Sequence, residues 1–204
     1  MGCDIHMFVE YKRNMPTKDF KDRKDQWVLG DYFMRNPFNP AFEDEEEFKI
    51  IELYGDRDYT LFSTLAGVRD YSGKNEPVSI PKGLPEDCCE YVKKQNEKWG
   101  SDGHSHSWLT LKEIKDYQSQ KPIITYSGLL SPTQLKELDV DGKTPNSWCQ
   151  GTSLEGYKRR EWNEPNKSLL PLIEKMEKRL SELFKNDDSA KDDEKIRIVF
   201  WFDN

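Results

Sequence analysis

All three histidines of the chain lie in two short polar clusters whose spacing could support metal chemistry. His6 belongs to the run MGCDIH, and His104 and His106 belong to the run DGHSHS. Residues two apart on an extended strand project to the same face, so Asp4 with His6, and His104 with His106, would each present two ligands together. Imidazole and carboxylate groups suit Zn, Mn or Fe, and a water kept on such an ion becomes a nucleophile near neutral pH.

This pattern predicts a metal-dependent hydrolase of the phosphoesterase kind, acting on a nucleotide or nucleic acid. Its candidate metal ligands are Asp4, His6, His104 and His106, its candidate catalytic residues are His104, His106 and Asp102, and its ion would be Zn or Mn. No dinucleotide, P-loop or other organic-cofactor motif occurs. Structural histidines in hydrogen-bonded loops are the simpler alternative, and a nucleophilic Cys3 or Cys149 is a competing chemistry.

A second group of residues could hold a planar, charged ligand. The run GYKRREW at 156–162 combines cations with aromatic rings, which is the composition used for phosphate contact and base stacking. The candidate ligand-binding residues are Trp108, Trp148, Tyr157, Arg159 and Arg160. These residues favour a different class of function, a non-catalytic protein that sequesters a small nucleotide or binds another protein. A solvated surface patch that binds nothing would have the same composition.

The elements that must position these residues are strands at both ends of the sequence with helices between them. Strict alternation at 4–11 and 196–203 predicts two half-buried strands, and 26–33 and 122–126 are further strand candidates. Apolar stripes predict helices at 58–69, 85–99 and 168–185, and capping boxes at Thr110 and Ser131 start two more. We expect one α+β domain with a mostly antiparallel sheet, neighbouring first and last strands, and about four to five helices.

Composition sets the limits of these interpretations. The 204 residues, 35% of them hydrophobic, suffice for a single domain with a real core. A formal charge of −7 argues against bulk binding to nucleic acid. No apolar run predicts a membrane span or a secretion signal, so we expect a cytoplasmic protein. Two prolines and the run EDEEE predict an exposed acidic loop near 36–47, and 122–165 is expected to be a variable polar and aromatic segment.

Several blocks of the sequence, in order, resemble a protein family that is widespread in tailed phages and prophages and has no established activity. The blocks are MGCDIH at 1–6, RDYTLFSTLAGVR at 57–69, KGLPED at 82–87, WGSDGHSHSWLTL at 99–111 and RIVFWFDN at 197–204. The resemblance implies a phage accessory protein in the host cytoplasm that acts against a host defence system, with a small nucleotide signal or a defence protein as its partner. The run DGHSHS is also similar to the DxHxH signature of PHP-type metal phosphoesterases.

Overall fold

A four-stranded antiparallel sheet organises the part of the chain that the computed structural model describes, residues 2–16, 23–36, 48–185 and 187–203. In chain order the elements are β1 (Asp4–Pro16), β2 (Arg23–Leu29), β3 (Tyr32–Arg35), β4 (Phe48–Ile51), α1 (Tyr59–Ala66), α2 (Glu90–Trp99), β5 (His104–Thr110), α3 (Leu111–Ser119), β6 (Ile123–Leu130), α4 (Pro132–Asp139), β7 (Lys158–Pro165), α5 (Leu170–Leu183) and β8 (Ile196–Asp203). The main sheet has the order β2-β1-β8-β5, so β1 and β8 are neighbours, as the sequence predicts.

The alternation of β1 and β8 divides their side chains between two separate cores. Met7 and Val9 of β1, with Ile198 and Phe200 of β8, face a large core that includes residues of α1, α3 and α5. The intervening residues Phe8, Val199 and Trp201 face a smaller core, in which Val92 of α2 takes part. Because both faces of β8 are covered, seven of its eight residues are buried.

The smaller core also contains a buried ion pair. The Arg197 Nε donates to Glu10 Oε2 at 2.8 Å, and both side chains are almost completely buried. A second guanidinium nitrogen donates to Asp87 Oδ1, and the guanidinium lies 4.0 Å from the ring centre of Trp27. Buried charges of this kind are tolerated because they are paired and hydrogen-bonded.

A separate two-stranded antiparallel sheet, β6 with β7, lies beside helix α1. A long connection that contains α4 joins its strands, and we call this strand pair the hairpin for brevity. Tyr126 pairs with Trp162 in its register, and the Tyr126 hydroxyl is 3.3 Å from Thr60 Oγ1 on α1. The Asn166 amide, just after β7, donates to Thr64 Oγ1 of the same helix. These side-chain hydrogen bonds fix the hairpin against α1 and leave a cavity along their junction.

The α+β fold expected from the sequence is confirmed, with five α-helices in the described chain, although several boundaries differ. The predicted strand at 26–33 is broken at Gly30 and Asp31, because the Asp31 carboxylate turns inward and accepts from the backbone N–H groups of Val9 and Leu53. Helix α2 begins at Glu90 rather than at 85. The predicted acidic loop near 36–47 lies outside the described residues, apart from Asn36.

Candidate functional site: the histidine row and the aromatic cavity

Two of the three histidines lie on the same face of the main sheet, on either side of a buried tryptophan. His6 of β1 is directly opposite Trp201 of β8, with ring centres 5.9 Å apart. His106 of β5 stacks on Trp201 with ring centres 5.8 Å apart. The two imidazoles are therefore two strand spacings apart, about 9–10 Å. Ligands of one ion each lie within about 2.3 Å of it, so His6 and His106 do not share an ion in this arrangement.

His104 points to the opposite face of the sheet from His106. Its register partner is Phe202, on which it stacks with ring centres 6.0 Å apart, and Phe202 belongs to the large core. The register shifts between His104 and Ser107, where Ser105 adopts a positive φ of 51°. This bulge inserts an extra residue, so the two histidines of the His-x-His run do not present paired ligands as they would on a regular strand.

His6 and His106 each make one hydrogen-bonding contact with a protein side chain. His6 Nε2 is 3.2 Å from Asp203 Oδ2, and the ring also packs on Trp99 with ring centres 4.0 Å apart. His106 Nε2 is 3.2 Å from the Asn96 amide nitrogen. Burial, and then the imidazole of His104, lower the pKa of His106, so its ring is neutral at pH 7. We call His6, Trp201 and His106 the histidine row. Its rings are stacked, but its edges are only partly hydrogen-bonded, because Trp201 Nε1 and the neighbouring Asn96 Oδ1 are buried without a partner in the described chain, as is His104 Nε2 on the other face.

The remaining predicted ligands do not gather around the histidines. Asp4 accepts two hydrogen bonds from the guanidinium of Arg57, at 2.7 and 2.6 Å, and Asp102 is exposed in a short 3-10 turn. No group of three or more His, Cys, Asp or Glu side chains in the described part of the chain is placed to hold a metal ion, and the metal site stays a prediction. Cys3 is 1% exposed and its pKa is raised by burial, which disfavours the thiolate that a nucleophile needs.

A cavity of about 250 Å³ lies between helix α1, the loop 69–75 and the hairpin, and we call it the aromatic cavity. Four aromatic rings line it together with hydroxyl and amide groups. Its lining residues are Tyr59, Thr60 and Ser63 of α1, Arg69, Asp70, Tyr71, Ser72 and Asn75 of the loop, Ile124, Thr125, Tyr126 and Ser127 of β6, and Trp148 and Gln150. The volume exceeds the roughly 150 Å³ that accommodates a benzene molecule, so the cavity has room for a small ring compound.

Tyr126 and Trp148 line the cavity on the side of β6, and Trp162 packs against both rings without lining it. Tyr126 stacks on Trp162 with ring centres 5.6 Å apart, and Trp148 meets both rings at 5.1 Å. Trp148 reaches this position because residue 128 on β6 is glycine, since a Cβ there would lie 2.3 Å from Trp148 Cδ1. A glycine inside a strand often marks such a close approach. Burial raises the pKa of Tyr126, so its hydroxyl is protonated and can donate.

The loop wall of the cavity is fixed by a carboxylate and an amide. Asp70 accepts from the backbone N–H groups of Ser72 and Asn75 and from both of their side chains. The Asn75 side chain then bridges to β6, donating to Thr125 O and accepting from Thr125 N. Burial alone would raise the pKa of Asp70, but these hydrogen bonds lower it on balance, so the carboxylate is ionised and fully engaged. The loop is therefore held in place without a ligand.

Two residues of the lining, Ser63 and Gln150, each carry a buried side-chain oxygen that has no hydrogen-bond partner in the described chain. The Ser63 residue is only 2% exposed. Buried polar atoms without partners are uncommon and cost about 1–3 kcal/mol each, so each instance calls for an explanation. Both oxygens are closed to solvent, so they lie beneath the cavity surface and not on it.

The predicted ligand-binding residues have different positions. Trp148 lines the aromatic cavity. Arg159 does not line the cavity but donates to Gly151 O and to Oγ of Ser127, which does, and Arg160 pairs with Asp139. Tyr157 is 38% exposed, and Trp108 packs under Lys82 on the main sheet.

The cavity residues that sequence reasoning missed come from three separate segments of the chain. Ser63 was hidden within an apolar helix stripe, and Tyr126 within a short strand. Gln150 carries no local signal, because its neighbours become a cavity wall only through the backbone bridge between Cys149 and Leu129. Gly128, a glycine inside an apolar strand, is the one residue whose type could have indicated a close packing partner.

No protein-family model matches this sequence, and neither a curated protein nor a solved structure is significantly similar to it. No helix in the described part of the chain combines the length and the apolar content that a membrane span requires.

Proposed function

We propose that the protein is a non-catalytic binding protein that captures a small planar molecule, of the nucleobase or nucleotide class, in the aromatic cavity. The observation that carries this proposal is a cavity with room for a small ring compound, lined by four aromatic rings together with hydroxyl and amide groups. Apolar walls with a few convergent polar groups are the usual composition of small-molecule sites.

Aromatic walls favour a flat ligand. Tyr126 and Trp148 line the cavity and are braced from behind by Trp162, so their rings are held before a ligand arrives. Stacking of a base on such a ring contributes about 1–3 kcal/mol, irrespective of the base. The Ser72 hydroxyl donates to Asp70 in this lining, but the carboxylate also accepts three hydrogen bonds that fix the loop, which favours a structural role for the pair and capture over turnover.

Calorimetric titration of the full chain with nucleosides tests this proposal through a pair of matched tryptophan variants. Trp148→Ala removes a cavity wall and should weaken binding about 5- to 150-fold, which is the loss of one stacking contact. Trp99→Ala is the control, because Trp99 packs on His6 and does not line the cavity. Loss of binding in Trp99→Ala, with Trp148→Ala unaffected, would place the ligand at the histidine row and overturn the proposal.

The fate of the bound molecule separates capture from hydrolysis. A binding protein should release its ligand unaltered after denaturation, at about one molecule per chain. Mass spectrometry of the material released from the purified protein makes this measurement. Cleaved products, and consumption of many ligand molecules per chain, would contradict the proposal and favour the metal-dependent hydrolase.

A further inference from the structure

One of the four aromatic rings that line the aromatic cavity has no packing partner in the described chain. Tyr126 and Trp148 pack on each other, and Tyr59 packs edge-on against Phe62 with ring centres 5.6 Å apart. Tyr71 makes no ring contact and no hydrogen bond with another described residue, and it is 44% exposed. Exposed tyrosines are common on protein surfaces, but this one lies in the wall of a cavity that already contains two packed rings.

The loop holds the backbone of Tyr71 in place. The Asp70 carboxylate, immediately before it, accepts from the backbone N–H groups of Ser72 and Asn75. The Asn75 side chain is joined to the backbone of Thr125 on β6 by two hydrogen bonds of 2.9 and 2.8 Å, so the loop is tied to the hairpin. A ring on a fixed backbone loses only side-chain freedom when a ligand binds, so more of its contact energy appears as affinity.

Tyr71 and Trp148 belong to different walls of the cavity. Tyr71 comes from the loop 69–75, whereas Trp148 packs against the rings of the hairpin. The volume of about 250 Å³ between these walls has room for one small ring compound. Since aromatic rings attract one another at centre separations of about 4.5–7 Å, a flat ring in this space can contact an aromatic surface on each of its two faces.

We infer that Tyr71 is the second stacking surface of the site, that the bound ring lies between Tyr71 and Trp148, and that the ligand is therefore an unsaturated ring that is flat on both faces. This inference rests on the proposed function, because it needs a planar ligand in the aromatic cavity. A saturated ring with the same polar groups is puckered and carries hydrogens above and below its plane. Such a ring loses the contact on both faces, so the site selects against it.

Calorimetric titration of the full chain with adenosine and uridine measures the contribution of Tyr71. Tyr71→Ala removes the ring and should weaken binding about 5- to 150-fold, which is the loss of one stacking contact. Tyr71→Phe keeps the ring and should bind within about two-fold of the wild type. Tyr157→Ala is the matched control, because Tyr157 is also an exposed tyrosine, at 38%, and does not line the cavity. It should leave the affinity unchanged.

Two further measurements separate stacking from an effect on folding. The Tm of the unliganded Tyr71→Ala protein should stay within about 2 °C of the wild type, because Tyr71 is exposed and packs on no other ring. The wild type should bind uridine about ten-fold or more tightly than 5,6-dihydrouridine, which has the same polar groups on a saturated ring. Tyr71→Ala should reduce that ratio by about five-fold or more.

The outcomes distinguish the inference from the proposed function. If Trp148→Ala weakens binding and Tyr71→Ala binds like the wild type, the ligand stacks on one face only, and only the inference fails. The inference also fails if Tyr71→Phe loses as much affinity as Tyr71→Ala, since the hydroxyl would then make the contact, or if the wild type binds uridine and 5,6-dihydrouridine equally. A large fall in the Tm of Tyr71→Ala would assign its weaker binding to folding and overturn the inference. If no nucleoside binds the wild type, neither the inference nor the proposed nucleobase site stands.

Discussion

Replacing Gly128 with alanine should push Trp148 out of the wall of the aromatic cavity. A Cβ at position 128 would lie 2.3 Å from Trp148 Cδ1, 2.7 Å from Cγ and 3.0 Å from Cβ. Carbon atoms in contact are ordinarily about 3.5–4.0 Å apart, so the indole must retreat by more than about 1 Å. Because two of the three crowded atoms lie at the root of the side chain, a rotation of the ring alone cannot relieve the overlap.

The expected magnitudes follow from this overlap. Overpacking costs about 1–3 kcal/mol, and the loss of glycine freedom in the unfolded chain returns about 0.4–1 kcal/mol. The net loss of up to about 2.6 kcal/mol corresponds to a fall in Tm of up to about 10 °C for a chain of this size. Displacement of the stacking wall should weaken ligand binding by about 5- to 150-fold.

Scanning calorimetry measures the first effect, and titration with adenosine or uridine measures the second. Gly55→Ala is the matched control, since the nearest atom to its new Cβ is Glu52 Oε2, the end of a flexible side chain, at 3.3 Å. A Gly128→Ala protein with wild-type Tm and wild-type affinity would refute the argument, because Trp148 would then not depend on the missing Cβ.

Three further predictions concern the rest of the molecule. Arg197→Met should lower the free energy of unfolding by about 3–5 kcal/mol in urea titrations, because it leaves the buried Glu10 carboxylate without its partner. Lys112→Met, which removes an exposed ion pair, should change the free energy of unfolding by less than about 1 kcal/mol. Equal effects of the two variants would contradict the argument from burial. Burial raises the pKa of Asp31 from 3.8 to about 7. Between about pH 4 and 7 the folded protein therefore keeps a proton on Asp31 that the unfolded chain has released, so stability should fall as the pH rises through this range. That slope should be smaller in Asp31→Asn, and an unchanged slope would assign it to other groups. Dialysis against a chelator should leave nucleoside affinity unchanged, and His106→Ala should lower stability without lowering that affinity. If elemental analysis finds one metal ion per chain, and nucleoside binding is lost when the ion is removed, the result would favour the histidine-based metal site.

Local patterns predicted the two central strands of the main sheet, β1 and β8, because the physical cause is local, whereas the edge strand β5 was not predicted. The strict alternation of β1 and β8 reflects the two buried faces that those strands present, and this pattern does not depend on the residues that separate the two strands in the sequence. Both predicted capping boxes are present, at Thr110 with Glu113 and at Ser131 with Gln134, since each needs only residues three apart. Elements defined by neighbours in the sequence could therefore be inferred without the fold.

The candidate site could not be predicted in the same way, because long-range contacts define it. The bulge that separates His104 from His106 depends on Ser105 in a left-handed conformation, which a serine does not signal. The charged run at 158–161 indicates a surface patch when it is taken alone, but in the structure it forms the first half of β7 and pairs with the largely apolar β6. Ser63 and Gln150 come together only after the hairpin docks on α1.

The central position of β8 constrains the order in which this protein can be made. The backbone N–H of Asp4 donates to the Asp203 carboxylate across 199 residues of sequence, and β8 also supplies the pairing edge for β5. During synthesis on the ribosome, the backbone groups of β1 and β5 that pair with β8 therefore have no strand partner until β8 leaves the ribosome. Contacts so distant in sequence slow folding and leave strand edges open to association with other chains. A polypeptide truncated before residue 196 would lack β8, the strand that joins β1 to β5 in the main sheet, and this polypeptide would be a substrate for chaperones and proteases.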